Sequence, residues 1–213
     1  MSLSRLKQVL PSLAVGSTIL FGLLLLLTGT ARTGRLGTDS VFAAPAGTGD
    51  CSQASPCDLH TAVAAVPDGG TVYLAEGAYT GTGHAVISLT QNITVFGGWD
   101  GTTTVPPLRD ADTYTTIIDG EKMRRCIHAD GPASVLIEGL TVARGTVMST
   151  TSTGWNGAGL YGEAATVTLR AVNVYSSVVD VYDVADSQAY GGGVAIDGGK
   201  LVVEDCAFRW NSV

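Results

Sequence analysis

Pairs of apolar residues that alternate with polar or small ones recur through the second half of the chain. Such alternation is typical of β-strands with one buried face. A second apolar pair and a corner residue follow each first pair. The first pairs are Val135/Ile137, Val167/Leu169 and Leu201/Val203, the second pairs are Leu140/Val142, Val172/Val174 and Cys206/Phe208, and the corners are Gly145, Ser177 and Asn211. The first pairs are spaced by 32 residues (135 to 167) and 34 residues (167 to 201).

A longer repeat supports the same units, because Gly157–Leu169 aligns with Gly191–Val203 without a gap at an offset of 34. Ile93 and Val95, 21 residues after Val72 and Leu74, extend the pattern towards the N-terminus. A hairpin sandwich would show regular short turns, whereas like residues at like places indicate stacked repeats. Stacking predicts two inward columns of side chains, Val135–Val167–Leu201 and Ile137–Leu169–Val203.

A short helix is predicted before the first of these strands. Asp58 is suited to cap a helix over Leu59–Val66, and Leu59, Ala62, Val63 and Val66 fall on one face of it. The Pro67-Asp-Gly-Gly70 segment ends the helix, and Thr71–Ala75 follows as a strand.

Several segments resemble known β-helix proteins. The helix and the sequence Val66-Pro-Asp-Gly-Gly-Thr-Val-Tyr-Leu-Ala-Glu-Gly-Ala-Tyr79 resemble the N-terminal cap of the pectin-lyase-like superfamily. Val95-Phe-Gly-Gly-Trp99, Thr116-Ile-Ile-Asp-Gly120 and Ile137-Glu-Gly-Leu-Thr-Val142 fit the same pattern. The closing repeat is similar to the Gly-Gly-x-Val and Phe-x-x-Asn repeats of polymorphic outer-membrane-type surface proteins, although the preceding repeat has Val174-Tyr-Ser-Ser177 instead.

The resemblance implies an all-β fold, a right-handed parallel β-helix of about four coils with an N-terminal capping helix. The chain stops after the second strand of its last repeat, so we expect an uncapped C-terminal end. An open end would expose apolar side chains and unpaired strand edges. We therefore expect the domain, taken as residues 51–213, to continue in a longer protein.

Residues 1–31 are predicted to be a signal peptide. Arg5 and Lys7 precede an apolar run from Leu13 to Leu27, and Gly29-Thr-Ala31 supplies small residues for cleavage. The alternative is an uncleaved anchor over residues 13–28.

Residues 32–50 are rich in Gly, Thr, Ala and Pro and are predicted to be a flexible linker. The expected location is therefore secreted or cell-surface. Membrane attachment is expected only through an uncleaved N-terminal segment or a further C-terminal anchor.

The charge of the chain limits its partners. Its net charge is −7, and removal of residues 1–31 would give −9 (10 basic minus 19 acidic residues). An acidic chain without a Lys/Arg cluster is a poor ligand for nucleic acid or anionic lipid.

The cysteines fall into two classes. Cys51 and Cys57 enclose a short polar loop and are predicted to form a disulfide in an oxidising compartment. Cys126 and Cys206 lie in apolar runs and are expected to be buried free thiols.

The three histidines, His60, His84 and His128, are scattered along the sequence, so no metal site is predicted from them. His128 is expected to be a satisfied structural histidine.

Two insertions occupy the same corner of successive repeats, 146–156 and 178–190, and are expected to form one ridge. The ridge would hold Trp155, Asp180, Tyr182, Asp183, Asp186 and Tyr190. Aromatic rings stack on sugars, while carboxylates accept hydroxyl hydrogen bonds or bind Ca²⁺. The ridge is thus a candidate site for a polysaccharide or cell-surface glycan, and Ca²⁺ is the one cofactor considered. The alternative is a solvated loop without a ligand.

A polysaccharide lyase would also need a basic residue to remove a sugar proton. Arg170 and Arg209 are outward candidates, with Glu138 and Glu204 nearby in register, although a solvated charged face is the simpler reading. The sequence therefore favours a non-catalytic module for adhesion or glycan contact. The alternatives are a lyase or hydrolase whose catalytic coils lie beyond residue 213, and a structural stalk or passenger domain.

Overall fold

The structure is a computed structural model that describes residues 39–149, 156–181 and 190–213. The described residues are mostly β-strand, with one α-helix, α1 (Leu59–Ala65). None of them forms a helix with the length and apolar content needed to cross a bilayer. The strands are β1 (Ser40–Ala43), β2 (Thr48–Ser52), β3 (Ser55–Cys57), β4 (Gly70–Ala75), β5 (Gly77–Tyr79), β6 (Ala85–Leu89), β7 (Ile93–Trp99), β8 (Thr116–Asp119), β9 (Arg125–Asp130), β10 (Ser134–Glu138), β11 (Thr141–Ala143), β12 (Thr146–Ser149), β13 (Leu160–Glu163), β14 (Thr166–Arg170), β15 (Asn173–Tyr175), β16 (Val178–Val181), β17 (Val194–Asp197), β18 (Lys200–Glu204) and β19 (Ala207–Arg209).

The strands form four sheets that the chain visits in a repeating order. Sheet A has the order β18-β14-β10-β7-β4-β1-β3-β2, sheet B β19-β15-β11-β8-β5, sheet C β17-β13-β9-β6 and sheet D β12-β16. From β4 onwards, each circuit passes through A, B and C in turn, and the two later circuits add a strand of sheet D. All pairs are parallel except β2 with β3. This arrangement is compatible with a β-helix-like solenoid.

The predicted columns of apolar side chains are present in sheet A. Val135 lies opposite Val167, which lies opposite Leu201, and Ile137, Leu169 and Val203 are aligned in the same way. The second column continues through Val95, Val72 and Val41 on the preceding strands. Full burial of one such side chain contributes about 1.5–3 kcal/mol, so stacking of neighbouring repeats supplies much of the stability.

The sequence placed the first repeat two residues out of register. It aligned Ile93 with Val72, whereas the structure pairs Val72 with Val95 and Gly70 with Ile93. Both alignments keep the same face inward, because the side chains of a strand alternate with a period of two. Apolar alternation alone therefore could not distinguish them. An irregularity between Tyr73 and Ala75 shifts the register again before Trp99.

The three predicted corner residues are connected from one repeat to the next. The backbone N–H of Gly145 donates to the Ser177 hydroxyl over 3.3 Å, and the N–H of Ser177 donates to Asn211 Oδ1 over 3.0 Å. Asn211 Nδ2 in turn donates to the carbonyl of Val174 over 2.9 Å. These hydrogen bonds satisfy backbone polar groups that have no partner strand at the turn.

Helix α1 begins at the predicted cap. The Asp58 carboxylate accepts hydrogen bonds from the backbone N–H groups of His60 and Thr61. The helix ends at Ala65, one residue earlier than predicted, and Val66 is its C-terminal cap. Leu59 and Ala62 are buried, as the predicted apolar face requires.

The predicted linker is wrong for residues 40–50. β1 and β2 lie in this segment, and the parallel pairing of β1 with β4 makes it part of sheet A. Phe42 is buried, and its ring stacks on that of Tyr73 with 5.0 Å between centroids. The apolar run, residues 41–44, is only four residues long between Gly-, Thr- and Pro-rich flanks, which hid the strand. One compact unit spans Asp39–Val213. The predicted signal peptide or anchor lies outside the described residues.

The cysteines largely follow the sequence prediction. The Cys51–Cys57 disulfide is present and joins β2 to β3. Cys126 is a free, buried thiol, whereas Cys206 is free but only partly buried. Cys206 lies in the last repeat, where, among the described strands, β18 and β19 each have a neighbour on one side. Leu201, Val203 and Phe208 are 38%, 43% and 44% exposed there, although Val167, Leu169 and Val174 in the preceding repeat are all at 0%.

The position of an apolar side chain in its column should determine how much its truncation to alanine lowers the free energy of unfolding. We expect Val167→Ala to lower the free energy of unfolding by about 2–3 kcal/mol, because it leaves a cavity between two neighbouring repeats. The matched Val203→Ala substitution should cost less than about 1 kcal/mol, since Val203 is already partly hydrated. Urea denaturation of both variants measures the difference, and equal losses would contradict the buried column.

The free thiols should differ in reactivity. Burial raises the pKa of Cys126 to about 12, and its thiol donates to the carbonyl of Ala143 over 3.1 Å. The reactive thiolate is therefore scarce at pH 8. We expect iodoacetamide to label Cys206 in the native protein and to label Cys126 only after unfolding in urea. Mass spectrometry of non-reduced peptides locates the label, and equal labelling rates would show that Cys126 is accessible.

Candidate functional site

The two predicted insertions begin and end side by side. β12 and β16 pair in parallel register, with Met148 opposite Asp180, and a bridge joins Asn156 to Tyr190. Tyr190 is 55% exposed. Trp155, Tyr182, Asp183 and Asp186 lie outside the described residues. Carbohydrate or Ca²⁺ binding by this ridge therefore stays a prediction.

A ladder of ion pairs occupies the outer face of sheet A. Arg170 Nε lies 2.7 Å from a carboxylate oxygen of Glu204, and Arg170 Nη1 lies 3.1 Å from one of Glu138. Arg109 contacts the other oxygen of Glu138 over 3.1 Å, and its guanidinium lies 3.7 Å from the centroid of the Phe96 ring. Along β10, β14 and β18 the charges thus alternate in sign.

These ion pairs disfavour Arg170 as the base of a lyase. Hydrogen bonds to Glu204 and Glu138 raise the pKa of Arg170 above its ordinary value, so the side chain stays protonated. Arg209 does not lie beside it, because Arg209 is on sheet B opposite Tyr175. The two arginines considered from the sequence thus belong to different sheets and do not form one site.

The outer face of sheet C carries a different set of side chains. Ile127 and Ala129 of β9 are buried, so His128 and Asp130 between and after them face outward. On β13, Tyr161 lies opposite His128 and Glu163 opposite Asp130. β17 adds Asp197 opposite Glu163. This face therefore holds a ring pair and, beside it, an acidic column of Asp130, Glu163 and Asp197.

Arg125 and the ring pair are packed together. The rings of His128 and Tyr161 are stacked with 5.5 Å between centroids and an interplanar angle of 12°. The Arg125 guanidinium lies 4.8 Å from the Tyr161 ring centroid. It also donates to the carbonyls of Gly157 (3.0 Å) and Asn156 (2.8 Å). Arg125 thus connects β9 to the residues that lead into β13.

A cleft of about 530 Å³ lies beside this face and is lined by all three histidines of the chain. His60 comes from α1, His84 precedes β6, and His128 is on β9, where it lies opposite Ser88 of β6. The remaining lining is mixed, with polar and apolar side chains: Val63, Ala64, Gly83, Ala85, Ile87, Ser88, Thr90, Gln91 and Arg125. The histidines that are scattered in sequence are thus brought to one surface.

His128 also belongs to a group with two carboxylates. One nitrogen of His128 and one oxygen each of Asp130 and Glu163 all lie within 4.8 Å of one another. His128 Nε2 is buried, has no hydrogen-bond partner among the residues that the structure describes, and lies 4.0 Å from a Glu163 oxygen. The expectation of a satisfied structural histidine is therefore wrong. Burial, and then the charge of Arg125, lower the pKa of His128, so the neutral imidazole prevails at pH 7.

A signal for this group was present in the sequence. Residues two apart on a strand share a face, which places His128 with Asp130. The alignment of Ile137 with Leu169 fixes an offset of 32 in sheet A, but Asp130 and Glu163 are 33 apart. The turn between β9 and β10 is one residue longer than the equivalent turn between β13 and β14, so only the paired structure reveals that the two carboxylates are opposite each other.

Comparison of the chain with protein-family models, curated proteins and solved structures finds no significant match in any of the three.

Arg125 should stabilise the segment that leads into β13 through its hydrogen bonds to Asn156 and Gly157. We expect Arg125→Gln to lower the free energy of unfolding by about 2 kcal/mol, because two charge-assisted hydrogen bonds to backbone carbonyls are lost. Arg209→Gln is the control, since Arg209 is exposed on sheet B, and it should change stability by less than about 0.5 kcal/mol. Chemical denaturation measures both variants. Similar effects of the two substitutions would argue against an anchoring role for Arg125.

Proposed function

We propose that the chain is an exported right-handed parallel β-helix of about four coils that binds glycan at the cell surface or after secretion. The repeating order of sheets A, B and C and the in-register parallel pairing support the β-helix. The apolar run near the N-terminus and the Cys51–Cys57 disulfide support export, since disulfides persist in oxidising compartments. These features are also compatible with the resemblance to the pectin-lyase-like superfamily.

The cleft beside sheet C is the observation that carries the glycan proposal. Its volume of about 530 Å³ falls within the range of small-molecule sites. Ser88, Thr90 and the histidines offer donors and acceptors for hydroxyl groups. Val63 and Ala64 offer apolar surface for the C–H face of a sugar ring. The outer face of sheet A, in contrast, is engaged in ion pairs.

Charge narrows the class of glycan. The acidic column of Asp130, Glu163 and Asp197 lies on the same face of sheet C as His128, which lines the cleft. The whole chain carries a net charge of −7. A polyuronate would be repelled by this surface, whereas a neutral or amino-sugar glycan would not. We therefore favour a neutral or amino-sugar glycan over pectin or alginate.

Binding is favoured over catalysis because Arg170, the base considered for a lyase, is held protonated between two carboxylates. An enzyme with catalytic coils beyond residue 213 and a structural stalk stay the alternative proposals. The three functions differ in what happens to a glycan. A binding module retains it intact, an enzyme shortens it, and a stalk does not retain it.

Obstruction of the cleft should abolish glycan retention. Ser88 is exposed and lies in the cleft, so Ser88→Trp would fill part of it. We expect this substitution to weaken binding of a neutral or amino-sugar glycan by more than about tenfold, as expected when a binding site is blocked. A glycan array identifies the ligand, and calorimetry compares the variants.

Asn173→Trp serves as the matched control, because Asn173 is an exposed strand residue on sheet B. It should bind as the wild type does. Retention of polyuronates alone, or equal binding by the Ser88→Trp variant, would contradict the proposed site. The absence of any retained glycan would favour the stalk, and a shortened glycan would favour the enzyme.

A further inference from the structure

We propose that His128, Asp130 and Glu163 form a binding site for a first-row divalent cation, represented by Zn²⁺, on the outer face of sheet C. The proposal does not depend on glycan binding, since it rests on the convergence of three ligand atoms, although His128 also lines the cleft. His128 and Glu163 lie on strands of successive repeats, so their positions along the sequence do not by themselves place them together.

The three side chains already converge. Their candidate ligand atoms lie within 4.8 Å of one another, and the His128 Nε2 to Glu163 oxygen distance is 4.0 Å. Tetrahedral Zn²⁺ with ligand distances of about 2.0–2.2 Å separates its ligand atoms by about 3.3 Å. The His128–Glu163 distance must therefore shorten by about 0.7 Å, and no pair needs to shorten by more than about 1.5 Å. The Glu163 side chain is 57% exposed and can rotate to make this adjustment.

The donor set selects the class of cation. Ca²⁺ and Mg²⁺ prefer shells of oxygen ligands, whereas an imidazole nitrogen with carboxylates suits Zn²⁺ and its first-row neighbours. Three protein ligands are the number found in zinc sites that leave a fourth position to water or substrate. The inference thus differs from the Ca²⁺ ridge expected from the insertions, both in its residues and in its metal.

Electrostatics also favours a cation here. Asp130, Glu163 and Asp197 lie opposite one another on adjacent strands, and like charges in this relation are destabilising. In sheet A the corresponding stack is neutralised by Arg170 between Glu138 and Glu204. Within the described part of the chain, no Lys or Arg comes within ion-pair distance of any carboxylate in the acidic column. A bound cation would supply the missing positive charge.

The immediate surroundings hold His128 in place for this role. Its Nε2 atom is buried and has no hydrogen-bond partner among the described residues, which costs free energy unless a ligand is bound. The stacked Tyr161 ring restricts rotation of the imidazole. Groups that orient a ligand in this way contribute strongly to metal affinity.

Titration of the full chain with Zn²⁺ in competition with a chromophoric chelator tests the site. We expect one Zn²⁺ per chain and a rise in Tm on its addition. Glu163→Gln and His128→Ala should each weaken binding by roughly 100-fold, since even outer-shell partners typically contribute 10- to 100-fold. Melting of the metal-free variants confirms that each is folded, and Glu163→Gln, an exposed and conservative change, does not depend on the packing of His128.

Two controls define the site. Asp197→Asn removes a charge from the acidic column without removing a proposed ligand, so it should change affinity by no more than about threefold at physiological salt. His84→Ala removes a cleft histidine and should leave Zn²⁺ binding unchanged. Failure to bind stoichiometric Zn²⁺, binding by Glu163→Gln or His128→Ala as tight as that of the wild type, or displacement of Zn²⁺ by equimolar Ca²⁺ would each overturn the proposal. All titrations are made without glycan, so they are independent of the glycan result.

Discussion

The register between parallel strands of successive repeats is the constraint on which the rest of this structure depends. Each residue meets its counterpart one circuit away, so side chains are arranged in columns on both faces of a sheet. Val41, Val72, Val95, Ile137, Leu169 and Val203 form one such inward column. A slip of one residue would bring the polar positions inward and the apolar ones outward, so burial of one face fixes the register strongly.

The same register determines the chemistry of the outer faces. Where the charges in a column alternate, as in Glu138, Arg170 and Glu204, neighbouring repeats are joined by ion pairs. Where they do not, as in Asp130, Glu163 and Asp197, the column concentrates negative charge. The charges of the first column neutralise one another, whereas the second column attracts cations from solution. Sheet A is therefore better suited to holding repeats together, and sheet C to meeting a ligand.

Short-range patterns predicted the local elements well. The alternation of apolar residues indicated the strands, Asp58 indicated the start of α1, and the short spacing of Cys51 and Cys57 indicated their disulfide. The pattern failed where its signal was weak. Strand β1 is short and lies among turn-forming residues, and Cys206 is only partly buried because β18 and β19 each pair with one strand in the described structure.

By itself, the sequence determined which residues of each repeat face inward, because strand alternation is a local property that each repeat displays. Only the tertiary structure decided which outward residues meet. His60, His84 and His128 come together because α1 and two successive strands of sheet C border one cleft. His128, Asp130 and Glu163 converge because one additional turn residue sets β13 against β9 in a register that sheet A does not reveal. Their proximity arises from the circuit length, which is the sum of every turn and insertion, and so it could not be inferred from any single stretch of the chain.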